Sequence, residues 1–555
     1  MTELQTNRFR FARAFLGISM LIMGGCGIIY EYTLGVLGNN LIGSSHEQIF
    51  VIIGIMMFAM GVGTVLQKQL VGSLLDKFLG LQLALGLVGG VSTLVIYTAY
   101  VEMATYLVVL YAFSFAIGVL IGLEIPVLIR INDEYSRSLR TNLAEILSMD
   151  YIGALIGALL FAYVLLSRVS VGRIGVTLGI VNTTVAFLGL LYFWPLVRRR
   201  HFLLGTSVTC LSLLGLAFFR VDGYMASLEQ RCYRDPIVLR ETSPYQHLVL
   251  TQRDERINFY INGHLQFSSR DEVIYHEMLV HPPMIQARSR SHVLILGGGD
   301  GLALREVLRY ADVDSVTLVD IDPVVVKLFA TVPELVELNR ASFHDARVHT
   351  ITASGVSPGE EVSVFRQTQL AARLIDDTNI ELGKVRVFNI DADLFVREIG
   401  DEYDVVIIDF PDPSSLDLSK LYSVDFYRAL AQHLAPGAVV SIQSSSPFYA
   451  RAAFLAIGRT LEGAGYKTLP YHENVPSFGE WGWHLAWIGG ESEAERLADL
   501  RGTSELPVDT AYLTPEIVGG AFSFGKDWLK SEESLRPNTK LFPVLASYYR
   551  RGWKD

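Results

Sequence analysis

The stretch Ser291–Tyr310, SHVLILGGGDGLALREVLRY, decides the fold of the larger half of the chain. The run VLIL reads as a short buried strand that passes straight into a glycine-rich turn, and LALREVLRY continues as a helix. The next apolar run, SVTLVDIDP from Ser315, ends at Asp320, about 20 residues past the glycines. Strand, glycine turn, helix, strand and acid in that order form a nucleoside-binding unit, with the acid placed to accept hydrogen bonds from ribose hydroxyls. Gly297 and Gly299 allow the tight turn and a close approach of ligand to backbone. Such a turn serves NAD, a flavin or an S-adenosyl compound alike. Asp300 inside it tilts the choice. The turn and helix start favour anions, so an acid there opposes a pyrophosphate and suits a cation such as a sulfonium nucleoside.

The same logic extends towards the C-terminus. VRVFNIDADLF is a strand ending at Asp391 and Ala392, and YDVVIIDFPDP is a buried strand ending at Asp409 and Asp412. Doubly wound sheets bind ligands at the carboxyl ends of their strands. Asp300, Asp320, Asp391, Asp409 and Asp412 are therefore expected on one rim. Upstream, from about residue 236, IVLRE, HLVLTQR, INFYING and LQFSS read as a small antiparallel region with a turn at Asn262–Gly263. The helical stretch DEVIYHEMLVHPPM follows. These readings divide the chain into a linker and small β region over 220–290, a Rossmann-like domain over 291–500 and a C-terminal extension over 501–555.

The first 219 residues are a different object. Half of all residues are hydrophobic and only 19% are charged, against about 25% in an average soluble domain; mean hydropathy is +0.34. Up to Phe219 there are 13 basic and 10 acidic residues, and beyond it 33 and 47. That split excludes a single soluble domain, a disordered chain and a basic nucleic-acid binder. Three cysteines, Cys26, Cys210 and Cys232, exclude a disulfide scaffold or a Cys-based zinc site. Seven apolar stretches, near 12–37, 48–67, 78–100, 104–131, 151–168, 174–197 and 202–219, each approach the length of a membrane-spanning helix. The fold class expected is thus an α-helical membrane bundle fused to an α/β Rossmann-like domain, in a multi-pass cell-membrane protein surrounded by the lipid bilayer. Arg8, Arg10, Arg13, Lys68, Lys77, Arg130, Arg137, Arg140 and Arg198 to Arg200 fall on alternate loops, which sets the N-terminus in the cytoplasm. Seven spans would then carry the second domain outside. Glu31, Glu124 and Asp150 lie in or beside spans, where a carboxylate signals either a cation path or interhelical hydrogen bonding.

Several segments together resemble the spermidine synthase (polyamine aminopropyltransferase) family: SPYQHLVL, INGHLQFSSRDEVIYHEMLVHPP, LILGGGDGLALREVLR, LVDIDP, the Asp391–Ala392 step, and DFPDP followed by LYSVDFY. The likeness covers roughly residues 236–490. GLEIP, MDYIGA and the closing LFPVLASYYRRGW resemble a membrane-bound bacterial branch. The resemblance implies transfer of an aminopropyl group from decarboxylated S-adenosylmethionine, as co-substrate, to putrescine or a related polyamine. The products would be spermidine and methylthioadenosine, with no prosthetic group, no metal and a homodimeric enzyme. Carried over by position, Asp409 is the proton acceptor, Tyr275 orients the attacking amine and Asp300 holds the aminopropyl ammonium. His276 and Asp412 line the polyamine end. Gln246 and Gln266 contact the nucleoside and the transferred chain, with Asp320 on the ribose and Asp391 and Ala392 at the adenine. A donor made in the cytoplasm favours a cytoplasmic catalytic domain, against the loop charges.

Two other functions fit parts of the sequence. One is an S-adenosylmethionine methyltransferase, which shares the ribose acid but has less use for Asp300 and Asp409. The other is a polyamine transporter or sensor whose soluble domain only binds. The chain also departs from the family pattern. Pro413 is followed by Ser-Ser-Leu rather than Gly-Pro, Phe478 stands where a tyrosine is expected in the acceptor pocket, and 350–384 reads as an insertion. In that insertion HDARVHTITASG starts a strand that KVRVFNIDA repeats, and RQTQLAARLIDD has a helical pattern.

Overall fold

Long runs of apolar residues with few breakers give seven helices: α1 (Glu3–Ile42), α2 (His46–Leu66), α3 (Leu74–Glu102), α4 (Tyr106–Asn132), α5 (Leu139–Leu160), α6 (Val171–Tyr192) and α7 (Arg200–Cys232). In this computed structural model, which describes residues 3–42, 46–103, 105–133, 139–345, 348–350, 385–398, 400–530 and 534–553, all seven are long and apolar enough to cross a membrane. They belong to the first of two compact units, Met1–Pro236 and Ile237–Asp555. The linker expected from residue 220 starts as helix: α7 runs past Phe219 to Cys232. VDGYMASLEQRC lacks proline, and a helix closes its hydrogen bonds locally, so polar residues prolong it as readily as apolar ones.

Close approach of backbones holds the bundle. A Cβ on Gly153 of α5 would overlap the carbonyl oxygen of Leu21 on α1, so only glycine lets these helices meet. Glu124 on α4 is buried and accepts a hydrogen bond from Gln82 Nε2 of α3 at 2.8 Å. This is the interhelical bonding that its sequence position allowed. Glu31 and Asp150 are only half-buried.

The second unit opens with a four-stranded meander, β1 (Ile237–Thr242), β2 (His247–Arg253), β3 (Arg256–Ile261) and β4 (His264–Ser268), paired in sequence order. Asn262 and Gly263, both at positive φ, make the two-residue turn between β3 and β4. An eight-stranded sheet follows: β5 (His292–Gly297), β6 (Ser315–Val319), β7 (Val348–Thr350), β8 (Val385–Phe388), β9 (Tyr403–Asp409), β10 (Leu434–Gln443), β11 (Lys467–Val475) and β12 (Gly479–Trp487). Its order is β11-β12-β10-β9-β5-β6-β8-β7. The six strands β7, β8, β6, β5, β9 and β10 pair parallel, and β12 pairs antiparallel with β10 and β11.

Both faces of this sheet are covered, as a parallel sheet requires. Val293 and Ile295 of β5 join one core with Val405 and Ile407 of β9, while Leu294 and Leu296 join the opposite core with Val406 and Ile408. The 501–555 stretch is built into both layers rather than appended. Leu513, Val518 and Phe522 pack in the first core, and Leu535, Leu545 and Tyr548 in the second. The repeated strand motif is also resolved differently from the sequence reading. Val348 pairs with Val385 and Thr350 with Val387, so the two runs lie side by side as separate strands β7 and β8. Each is strand-forming by itself, and the sheet edge accepts both. The rest of the insertion, with its helical pattern over RQTQLAARLIDD, lies outside the described residues.

Strand order reverses beside β5, which has β6 on one side and β9 on the other. A crevice at the carboxyl ends of these strands is where such sheets bind ligands.

Candidate active site

The crevice is built around the register of β5 and β9, in which Gly297 pairs with Asp409. Gly297 has φ +85°, and a Cβ there would overlap the carbonyl oxygen of Asp409. Its neighbour two residues on, Gly299, donates its N–H to Asp320 Oδ2 at 2.9 Å, and a Cβ on it would lie 2.7 Å from the same carboxyl carbon. The turn is therefore glycine at these two points because the acids of two strands occupy the space. Asp300 stays in the turn by accepting the N–H of Leu302 at 3.0 Å.

Helix α8 (Glu272–Gln286) passes the crevice with Tyr275 and His276 on its buried side. The Tyr275 hydroxyl donates to Asp409 Oδ1 at 2.6 Å. His276 Nδ1 lies 2.8 Å from both the carbonyl oxygen and Oε2 of Glu272. Asp412 follows β9 and accepts from Gln443 Nε2, at the end of β10, at 3.1 Å. Tyr275, His276, Asp300, Asp409 and Asp412 thus converge, with Asp320 one strand away.

Known proteins bear on this geometry. A family model described as "Spermine/spermidine synthase domain" matches residues 272–364 and 360–497. Polyamine aminopropyltransferase 2 of Ralstonia nicotianae is 36% identical over 548 residues, covering 97% of this chain and 98% of its own. The chain belongs to the polyamine aminopropyltransferase family. The polyamine aminopropyltransferase of Leptospira interrogans is likewise 36% identical, over 539 residues, with 97% and 98% covered. A spermidine synthase structure from Thermotoga maritima aligns over 53% of this chain and 87% of its own, with TM-score 0.41 and 22% identity. The protein is an aminopropyltransferase enzyme, and the methyltransferase and binding-only alternatives give way to that.

Electrostatics separates the acids of this aminopropyltransferase. Burial pushes Asp300 up to about 6; the Asp409 charge adds to the rise, while His276 and the Leu302 N–H oppose it. Asp320 rises to about 7 through burial, against the N–H groups of Asp322 and Gly299. Asp409 is also raised by burial, with His276 and the Tyr275 hydroxyl pulling the other way. Burial lifts Asp412 to about 6. Burial would lower His276, but the hydrogen bond and charge of Glu272 override it and bring the imidazole to about 9. His276 is therefore a cation at neutral pH. Its charge acts on the neighbouring carboxyl groups of Asp300 and Asp409.

Other expected residues are placed less directly. Gln246 closes a turn through its backbone, with its carbonyl accepting the Ser243 N–H at 2.9 Å, and the Ser243 hydroxyl donates to Asp322 Oδ2 at 2.6 Å. Gln266 donates its amide N–H to the carbonyl of His264 at 3.1 Å. Asp391 holds the N–H of Asp393 at 2.8 Å and is paired through Oδ2 with Lys420 Nζ at 2.6 Å. Ala392 is buried at the start of the helix Ala392–Glu398. Phe478 packs against Tyr275 with ring centroids 6.0 Å apart and offers no hydroxyl.

Three participants escaped the sequence reading. Gln443 donates to Asp412, to the Phe410 carbonyl at 2.8 Å and to the Tyr422 hydroxyl at 3.0 Å. Lys420 neutralises Asp391. Arg305 binds both Glu272 oxygens, at 2.8 and 3.0 Å, and Glu306 at 2.8 Å. The position of Gln443 at a strand end was a usable signal, since strand ends had already pointed to the acids.

Glu277, His281 and Glu306 bring ligand atoms within 4.8 Å of one another, a spacing that could hold a metal ion. Their surroundings argue for packing instead. Glu306 is paired with Arg305 and Arg309, and Glu277 accepts the backbone N–H groups of Ala511, Tyr512 and Leu513 at 2.7 to 2.9 Å.

Proposed function

We propose that this enzyme moves the aminopropyl group of decarboxylated S-adenosylmethionine onto putrescine or a related polyamine, giving spermidine and methylthioadenosine. The observation that carries the reading is the Tyr275–Asp409 hydrogen bond of 2.6 Å, set among half-buried carboxyl groups whose described partners include no lysine or arginine. A buried carboxylate without a cation is costly, and both substrates bring cations. Asp300 pairs with the ammonium of the transferred chain and Asp320 takes the ribose hydroxyls. Asp391, beside Ala392, receives the adenine amino group, and Asp412 takes the far ammonium of the acceptor. Gln246 and Gln266 contact the nucleoside side of the crevice from the β-meander. A substrate with an added carboxylate meets like charge and is rejected.

Chemistry follows from this placement. The acceptor ammonium gives one proton to Asp409, which burial makes a better base than an exposed aspartate. The freed amine attacks the carbon next to the sulfonium sulfur. A C–N bond forms, the C–S bond breaks, and its electrons neutralise the sulfur as methylthioadenosine leaves. Tyr275 fixes the Asp409 carboxylate, and the His276 cation, held by Glu272, keeps Asp300 and Asp409 ionised.

Asp409→Asn should cut kcat by about a thousandfold while nucleoside binding persists. Turnover is measured by chromatography of the polyamine product; unchanged turnover would overturn the assignment.

The first unit integrates the enzyme into a membrane. Besides length, its helices present Phe50, Phe58, Phe202 and Phe219 at 68–82% exposure, side chains that suit lipid. The catalytic unit faces the cytoplasm, where the donor is made. A reporter fused at the C-terminus tests this, and activity only outside the cell would reverse it.

A further inference from the structure

The closing segment of the chain is locked onto the loop that carries Asp412. Asn538 is fully buried, and its side-chain amide donates to the carbonyls of Ser419 at 2.7 Å and Tyr422 at 2.9 Å. Its side-chain oxygen accepts the N–H of Val544 at 3.0 Å and of Leu545 at 3.3 Å, at the start of the C-terminal helix Leu545–Gly552. One side chain therefore ties the active-site loop to this helix. The far end of the helix is fixed as well. A Cβ on Gly552 would lie 2.7 Å from the Ala450 Cα, and Trp553 stacks on Tyr449 with centroids 5.3 Å apart. Between these anchors Tyr549 points its hydroxyl at the Asp412 carboxyl group as a hydrogen-bond donor. On the other side Gln443 donates to the same carboxyl group.

We infer that the C-terminal helix forms part of the acceptor subsite, with Tyr549 as a positioning residue that orients Asp412 toward the far ammonium of the polyamine. The inference rests on the reading of Asp412 given above. Hydrogen bonds to a carboxylate favour its charged form, so Tyr549 and Gln443 work against the burial that lifts Asp412 to about 6. The other titratable groups facing Asp412 are Tyr275 on α8, Tyr422 on the following loop and Asp409 on β9. None of them is a cation, so the donors Gln443, Tyr549 and Ser445 and the incoming ammonium are what hold the charge there.

Tyr549→Phe in the full-length enzyme removes one hydroxyl and little volume. The acceptor KM should rise about tenfold, with kcat and the donor KM within twofold of wild type. The acidic limb of acceptor kcat/KM should move to higher pH, because Asp412 loses a donor to its ionised form. Tyr548→Phe is the control: that hydroxyl accepts the Arg536 N–H at 3.3 Å away from the site, and all constants should stay put. Asp412→Asn separates the two levels of the argument. If it raises the acceptor KM and Tyr549→Phe adds nothing further in that background, both readings stand. If it raises the acceptor KM while Tyr549→Phe alone changes nothing, or adds its full effect in the Asn background, only the role of Tyr549 falls. If Asp412→Asn leaves the acceptor KM unchanged, the subsite itself is misplaced.

Discussion

Glu272 and Glu306, behind the crevice, are buried, Asp300, Asp320, Asp409 and Asp412, on its rim, are half-buried, and the two sets are held in opposite ways. Burial alone would raise every one of them. Behind the crevice Arg305 spans Glu272 and Glu306, His276 and His281 add their donors, and both carboxyl groups end lowered, Glu306 well below the usual range. On the rim the protein supplies Tyr275, Gln443 and backbone N–H groups, with the His276 cation beside Asp300, and the carboxyl groups end high, Asp300 and Asp412 at about 6 and Asp320 at about 7. The difference lies in who provides the positive charge. The back layer carries its own, which fixes α8 against the glycine turn. The rim leaves that place for cationic substrates.

The largest test breaks the back layer. Arg305→Met leaves Glu272 and Glu306 buried without their shared guanidinium, and losing one partner of a buried ion pair costs about 3–5 kcal/mol. Urea unfolding of the full-length enzyme in detergent should show a loss of that size. A loss under about 1 kcal/mol would mean that the two layers are not held differently after all.

A smaller effect should appear on the rim with pH. A carboxyl group with a raised pKa is neutral below it and cannot attract an ammonium. The kcat/KM should therefore fall as pH drops through 7 to 6, the range of Asp320, Asp300 and Asp412. Below that range the fall should reach at least about tenfold per unit. The profile is measured with the acceptor held below its KM. A flat profile between pH 8 and 5 would show that the rim carboxylates are already neutralised from within, like those behind them.

These two layers were not equally legible in the sequence. The rim was, because its acids sit at strand ends next to a glycine turn, and strand ends are local features. Asp300, Asp320 and Asp409 could be named from runs of about ten residues each. The back layer was not, because Glu272 and Arg305 are 33 residues apart and only the packing of α8 on the turn brings them together. The same limit hid Lys420 from Asp391 and the closing segment from Asp412. The charge on His276 was hidden for that reason: its neighbour Glu272 looked like one more helix residue, and nothing local revealed the charge it would impose. In the bundle, helix length and composition carried the reading, but the end of α7 did not coincide with the end of its apolar run.

Asp391 sharpens the comparison most finely, since among the described residues it is the expected site acid held in a direct ion pair with a lysine. Lys420 Nζ lies 2.6 Å from its Oδ2, and both side chains are partly exposed, 37% and 27%. Such a pair is worth no more than about 1 kcal/mol. If Asp391 receives the adenine amino group, Lys420 competes with that group for the carboxylate. Lys420→Met should then lower the donor KM, by at most about fivefold, and strengthen product inhibition by methylthioadenosine to the same extent, with the acceptor KM unchanged. Both constants come from initial rates with donor and product varied in turn. A donor KM that rises instead would place Lys420 among the groups that orient Asp391, and would make this acid a member of the self-neutralised layer rather than of the rim.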